Sequence, residues 1–293
     1  MIAEKGKLAR LRSRLIFTGP TLFIFFTVMI VPFFYGIYLT FTDWDGISTR
    51  YSFVRFDNYA TVMRDGVFWK SFILTLKYVA VSVVLINVVA FFLAYALTRR
   101  KRSNLYRTGF FLPNLVGGII LGLIWQFVFN YVVVNIGREL GIPLLAHSWL
   151  ADPAQAMWAL VAVTVWQYAG YMMVIYIAGL MNVPSDVLEA ASIDGATGWR
   201  QLRSIVLPLM IPSFSVCVFL SLQRGFLAYD LNLSLTQGGP FKSTELVSMV
   251  IYNKAFLSRE YGVGQAEAFV LFLIVAAITL LQVYFSKKME VEA

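Results

Sequence analysis

Residues 189–212 run Glu189-Ala190-Ala191-Ser192-Ile193-Asp194-Gly195-Ala196, then Thr197-Gly198-Trp199-Arg200-Gln201-Leu202-Arg203-Ser204-Ile205-Val206, then Leu207-Pro208-Leu209-Met210-Ile211-Pro212. The stretch lies between two long apolar runs, so it is a loop at a membrane surface. Unlike most loops, its pattern is short helix, turn, short helix. Pro184 suits a first helical position, and Asp186 to Ile193 tolerate a helix. Asp194-Gly195 is a stop-and-turn pair, because glycine takes positive φ without a Cβ clash. Thr197 suits the N-cap of a second helix from Gly198 to Val206, and Pro208 and Pro212 limit or kink the chain beyond that helix. A compact helical knob at a membrane face has the shape for docking a partner. By shape alone, an interfacial helix-turn-helix without one fits equally.

The residues around the knob belong in lipid. Of 293 residues, 59% are hydrophobic and 14% charged, roughly half the charged share of a soluble domain. Six runs, 15–42, 78–98, 108–137, 153–185, 204–223 and 268–286, contain no Asp, Glu, Lys or Arg and approach or exceed the ~20 residues that span a bilayer. Isolated strands cannot satisfy their backbone in hydrocarbon, and the runs lack the alternation of a barrel. The spacing predicts helices near 15–40, 70–98, 106–130, 156–181, 204–226 and 264–286. The chain reads as an all-α polytopic membrane protein with six transmembrane helices. Its first apolar run exceeds a signal-peptide core and ends without a small-x-small cleavage pattern, so it is expected to stay as an anchor. The lone Cys217 excludes an internal disulfide.

The positions of Lys and Arg set the orientation. With the N-terminus inside, the inner segments hold 14 of the 24 basic residues and 6 of the 16 acidic ones, leaving ten of each outside. The whole net charge of +8 then lies on one side, so nucleic-acid binding is not needed to explain it. Both termini and the 182–203 loop are expected to be cytoplasmic. The organisation is a basic tail over 1–14, a first transmembrane helix and outer loop over 15–67, a transmembrane core over 68–286, and a cytoplasmic tail over 287–293. The outer segment after the first helix carries Trp44, Tyr51, Phe53, Phe56 and Tyr59 as interfacial aromatics. In the last outer segment, 235–240 is expected to be a flexible break. Ser243-Thr244-Glu245 is expected to cap an amphipathic stretch from Leu246 to Phe256, with Lys254 and Arg259 towards water.

No enzyme constellation is present: there is no nucleotide-binding glycine loop, no HExxH, no cysteine pair and no nucleophile elbow. No carboxylate falls within the apolar runs, where a proton-coupled carrier places them. Energy for uphill transport would have to arrive from outside the chain, and the knob is the natural place of entry. Along the fourth helix, Gln167 and Tyr171 share a face with Tyr168 beside them. An amide and phenols among apolar neighbours suit a polyhydroxylated ligand, or else interhelical bonding. On the fifth helix, Ser221, Arg224, Gly225 and Ala228 share a face, with Arg224 either snorkelling outward or lining a wet cavity. Asn87, Asn114 and Gln126 are expected to bond neighbouring helices. A self-sufficient secondary carrier or channel is the alternative to an externally driven transporter.

Residues 189–212 resemble the EAA motif of permease subunits of binding-protein-dependent ABC importers. In that motif E-A-A is followed after two residues by D-G-A and further on by I, L-P and a second P. Glu189-Ala190-Ala191, Asp194-Gly195-Ala196, Ile205, Leu207-Pro208 and Pro212 match, while Leu202 stands where the family usually has Phe. Leu235-Thr236, Gly238-Gly239-Pro240, Thr244, Ile251-Tyr252 and Ala255-Phe256 resemble the carbohydrate-importer branch, in the subunit type of the larger maltose permease component and the glycerol-phosphate permease.

The resemblance implies a type I ABC importer permease fold and a non-enzymatic role, as half of a pathway for an oligosaccharide or sugar derivative. Glu189, Ala190, Ala191, Asp194, Gly195 and Ala196 would couple to a cytoplasmic ATPase dimer, which would hold ATP and Mg; this chain would hold no cofactor. The other implied partners are a second homologous permease subunit, an extracytoplasmic solute-binding protein, the lipid bilayer and the sugar. Carried over by position from the maltose relative, the ligand site falls on Gln167, Tyr168, Tyr171, Ser221, Arg224, Gly225 and Ala228. Gly225 and Ala228 replace polar residues there and Arg224 replaces an aromatic. An anionic sugar or sugar phosphate therefore stays open, as does a weak site in this subunit.

Overall fold

A computed structural model describes residues 16–98 and 103–289. The basic tail 1–14, the basic cluster 99–102 and residues 290–293, on which part of the charge asymmetry rests, lie outside the described residues. Among the described residues the chain is helical, with one isolated β-bridge between Thr42 and Phe53. Its helices are α1 (Ile16–Leu39), α2 (Asp57–Arg64), α3 (Gly66–Thr98), α4 (Ser103–Phe111), α5 (Gly118–Glu139), α6 (Pro153–Met181), α7 (Ser185–Ile193), α8 (Gly198–Leu209), α9 (Ile211–Phe226), α10 (Asp230–Leu235), α11 (Val247–Leu257) and α12 (Tyr261–Met289). Five of them, α1, α3, α5, α6 and α12, are long and apolar enough to cross a membrane; α8 and α9 meet the same test only as a bent pair, which brings the total to six if the pair counts as one span.

Two spans are interrupted at prolines, the first against the sequence expectation and the second where Pro208 and Pro212 were expected to kink the chain. The helix expected over 106–130 is broken. Leu112–Leu115 forms a 3-10 turn around Pro113, Val116 and Gly117 are extended, and α5 starts afresh at Gly118. Proline lacks an N–H and crowds the preceding turn, which removes a helical hydrogen bond and favours a break. The helix expected over 204–226 bends by 68° at Met210, between Pro208 and Pro212. Apolar patterning sees neither break, because every residue on both sides remains compatible with lipid.

Clustering of contacts divides the chain into two compact units, Met1–Asp65 with Ile251–Val270, and Gly66–Val250 with Leu271–Ala293. In the first, Asn58 clamps the end of α1: its amide donates to the Thr40 and Thr42 carbonyls, each at 2.8 Å. Phe41 packs against Phe53 and Phe56, whose own outer faces stay exposed as interfacial anchors would. Lys254 is not turned to water. It is half-buried and pairs with Asp65 at 2.9 Å. Burial alone would lower the Lys254 ammonium, but the Asp65 hydrogen bond and the surrounding carboxylates raise it above its ordinary value. Glu267, placed by sequence ahead of the last apolar run, lies inside α12. It is wholly buried, with neither carboxylate oxygen hydrogen-bonded among the described residues.

In the second unit α3 and α6 form the central pair. Ile86, Ala90, Phe91 and Ala94 of α3 meet Met172, Met173 and Tyr176 of α6, with Cys217 of α9 beside them. Lipid tails are as apolar as these side chains, so close packing and interhelical hydrogen bonds hold the helices together. Tyr78 bonds Thr164 at 2.8 Å, and Asn87 links Tyr176 (2.6 Å) to Ser221 (3.1 Å) across three helices. α6 starts sharply because the Asp152 side chain accepts from the Ala154 N–H at 2.7 Å, with Pro153 at the first helical position.

The segment expected to be a flexible break is a bonded loop. Asn232, fully buried, donates to the Thr244 carbonyl (2.8 Å) and Thr236 hydroxyl (3.0 Å) and accepts from the Leu246 N–H (3.4 Å). Thr244 turns its hydroxyl to Thr236 and to the Gly239 carbonyl rather than capping α11. That cap comes from α3, where the Thr75 hydroxyl accepts from the Val247 N–H at 2.9 Å. Asn232→Ala would strand several buried polar groups, each costing about 1–3 kcal/mol. A marked fall in the thermal unfolding temperature of the detergent-solubilised protein is expected. An unchanged transition would show that the loop does not depend on this network.

Candidate functional site

The knob is built as the sequence reads it, one residue out of register at its start. Pro184 is the N-cap in extended conformation, and α7 begins at Ser185. Its end is a Schellman motif: the Ala196 N–H reaches the Ala191 carbonyl at 2.8 Å and the Gly195 N–H reaches that of Ser192 at 3.2 Å. Gly195 takes φ +76°, which the motif requires and a Cβ opposes. Asp194 is the C-cap and exposed; Thr197 caps α8 by conformation, without a side-chain bond. The Gln201 amide donates to the Leu188 carbonyl at 3.0 Å and ties the two helices together. Ala191 is buried, whereas Glu189 and Ala190 are exposed. Beside them Ile193 is 87% and Trp199 67% exposed.

The second candidate is a cavity of about 170 Å³ walled by α6, α9 and the start of α10, and lined among others by Gln167, Tyr168, Arg224, Ala228, Tyr229 and Asp230. The Arg224 guanidinium lies over the faces of Tyr168 and Tyr171, 4.6 and 5.0 Å from the ring centroids, and donates to Asn114 Oδ1 at 3.2 Å. The Gln167 amide nitrogen donates at 3.2 Å to the Val116 carbonyl, freed by the break before α5. Its Oε1 is buried without a hydrogen-bond partner among the described residues. Of the seven positions on the two sequence-defined faces, Gln167, Tyr168, Arg224 and Ala228 line the cavity and Tyr171 joins through Arg224. Ser221 and Gly225 do not. Ser221 is buried in the Asn87 network, and Gly225 packs on Val79, which a Cβ would meet at 3.0 Å. Helical spacing puts Ser221, Arg224 and Gly225 of α9 on one side, with Ala228 just past its end; only the neighbouring helices decide which of them meet space and which meet protein.

Sequence reasoning missed Thr164, Tyr229 and Asp230 as parts of this site, whereas Asn114, expected to bond a neighbouring helix, does so through Arg224. Pro113 was the available signal for Asn114: at a helix break, a polar side chain one residue on is free to point inward. Arg224 forms no ion pair among the described residues, so its charge is met by ring faces, one amide oxygen and the cavity.

Membrane-length apolar helices, an exposed helix-turn-helix and a small polar cavity fit a membrane transport component. Residues 86–291 match the family described as the inner membrane component of binding-protein-dependent transport systems, and the chain belongs to it. It is 45% identical over 278 residues to a probable starch degradation products transport system permease protein of Thermoanaerobacterium thermosulfurigenes, covering 94% of each chain. It is 36% identical over 261 residues to a multiple sugar-binding transport system permease protein of Streptococcus mutans, covering 89% of this chain and 90% of the other. Its fold is that of a chain in the crystal structure of a bacterial alginate ABC transporter in complex with an alginate pentasaccharide-bound periplasmic protein. The TM-score is 0.81 at 18% identity, over 96% of this chain and 97% of that one. The chain is thus a multi-pass, membrane-spanning subunit of an ABC importer, not an enzyme.

Proposed function

We propose that this subunit forms half of the pathway for a sugar, an oligosaccharide or sugar derivative, handed over by an extracytoplasmic binding protein. A second, homologous permease supplies the other half. A cytoplasmic ATPase dimer holds ATP and Mg and drives the pair through residues 189–196, with both termini on the same side as the knob. The observation that carries the sugar class is the near-full-length likeness to the starch-degradation-products permease.

The placement of the knob supports the mechanism. α7 follows directly on α6, which carries Gln167, Tyr168 and Tyr171; α8 leads through the bend at Met210 into α9, which carries Arg224 in its last turn. Both walls of the cavity therefore descend to the knob. From Tyr168 to the end of α6 is about 20 Å at 1.5 Å per residue, a stiff lever. ATPase closure that moves the knob moves both walls together. At about 170 Å³ the cavity is below the ~300 Å³ of pockets that enclose larger ligands, so passage of an oligosaccharide needs the walls to part.

Reconstitution with the ATPase, the second permease and the binding protein tests this reading. ATP-dependent uptake of labelled starch-derived oligosaccharides is expected, together with stimulation of ATP hydrolysis by the sugar-loaded binding protein. Uptake that persists without the ATPase would support the secondary-carrier reading instead.

A further inference from the structure

We propose that Arg224 is a built-in stand-in for the transported sugar, which an arriving sugar must displace. This rests on the reading of the cavity as part of the pathway. The guanidinium covers the faces of Tyr168 and Tyr171 at 4.6 and 5.0 Å. Those are the surfaces on which the C–H face of a sugar ring stacks, and ring and guanidinium cannot share them. Gln167 Oε1, buried in the same site without a donor among the described residues, is an acceptor that the guanidinium leaves unused and a sugar hydroxyl would satisfy. Asp230 lines the same cavity and offers the displaced cation a carboxylate within the site.

The displacement has a mechanical consequence. Asn114 belongs to the 3-10 turn that separates α4 from α5, and Arg224 lies in the last turn of α9. The Arg224–Asn114 bond therefore pins the end of α9 to a helix break. Replacing the guanidinium by sugar frees that end of α9, whose other end reaches the knob through the bend. Asn114 thereby acts as a positioning residue for the stand-in, and substrate arrival is reported along α9.

The test uses the assembled transporter in proteoliposomes. In Arg224→Ala, added methylguanidinium is expected to refill the slot and compete. It should raise the half-saturating concentration of sugar-loaded binding protein several-fold at unchanged maximal rate, with no such effect on the unsubstituted protein. Asn114→Ala, which keeps Arg224 but loosens it, should lower that concentration by ~10-fold or more, the size of one hydrogen bond to a charged group. If methylguanidinium instead restores maximal rate without moving half-saturation, Arg224 is a permanent brace and the stand-in is overturned. Should Arg224→Ala fail to insert, Asn114→Ala decides alone: unchanged or raised half-saturation overturns the proposal. Uptake indifferent to Tyr168→Ala, Tyr171→Ala and Arg224→Ala alike would remove the cavity from the pathway altogether. Uptake that falls with Tyr168→Ala while the methylguanidinium and Asn114 results are negative would overturn the stand-in and leave the pathway standing.

Discussion

Gly170→Val is expected to abolish recovery of folded, monodisperse protein. A Cβ at Gly170 would fall well inside contact distance of the Phe110 carbonyl and 3.0 Å from the Phe111 nitrogen. All of these are backbone atoms of α4, so no rotamer change relieves the overlap and the two helices must separate. Overpacking of this kind costs about 3 kcal/mol or more, a large part of the ~5–15 kcal/mol that holds a typical fold together. The hydrophobic effect cannot make up the loss, since α4 and α6 meet no water that closer packing would expel. Even Gly170→Ala should lower the unfolding temperature in detergent. Gly109→Ala, on the same α4 but with nothing within 4 Å of its Cβ, should leave it unchanged. Equal unfolding temperatures for Gly170→Val and the unsubstituted protein would mean that α4 does not pack on α6 in this way.

That contact marks the boundary of what could be read from the residues. Hydropathy located the apolar runs, because about twenty apolar residues in a row have one physical explanation, but not the helix limits within them: the helix expected over 106–130 runs from Gly118 to Glu139. Motif spacing located the knob, because Asp194-Gly195 encodes a turn locally. Whatever depended on a second segment was hidden. The sequence shows glycines at 117, 118, 122 and 170 but not that Gly122 approaches Ser234 or Gly170 approaches Phe110. It shows prolines at 113, 208 and 212 but not which of them breaks a span, since neighbouring groups settle that. At the first break the Gln167 amide takes up the freed Val116 carbonyl, a bond 51 residues away along the chain. The cavity divides in the same way. Gln167, Tyr168 and Arg224 announce themselves as polar groups in apolar helices, whereas Asn114 enters only because the chain breaks beside it. Lys254 is misplaced by sequence for a related reason: a lone lysine reads as solvated until the Asp65 carboxylate is brought to it.

Gly195→Val is expected to lower ATP-dependent uptake by more than tenfold while leaving insertion and the packed span core intact. Nothing lies within 4 Å of a Cβ at this position, so the effect is confined to the backbone. At φ +76° a β-branched residue is strained by about 1–2 kcal/mol, comparable with what the two Schellman hydrogen bonds contribute. The turn between α7 and α8 then reopens. The exposed Glu189, Ile193 and Trp199 lose their fixed geometry, and motion delivered there no longer reaches α6 and α9 as one movement. Gly195→Asn is the discriminating control, since asparagine tolerates the left-handed region and should restore most of the uptake. Glu189→Lys should weaken co-purification of the ATPase without moving the unfolding temperature, because the side chain is exposed and forms no ion pair among the described residues. If Gly195→Val and Gly195→Asn are equally impaired, the backbone conformation is not what matters. If uptake survives in all three variants, force does not enter through this turn.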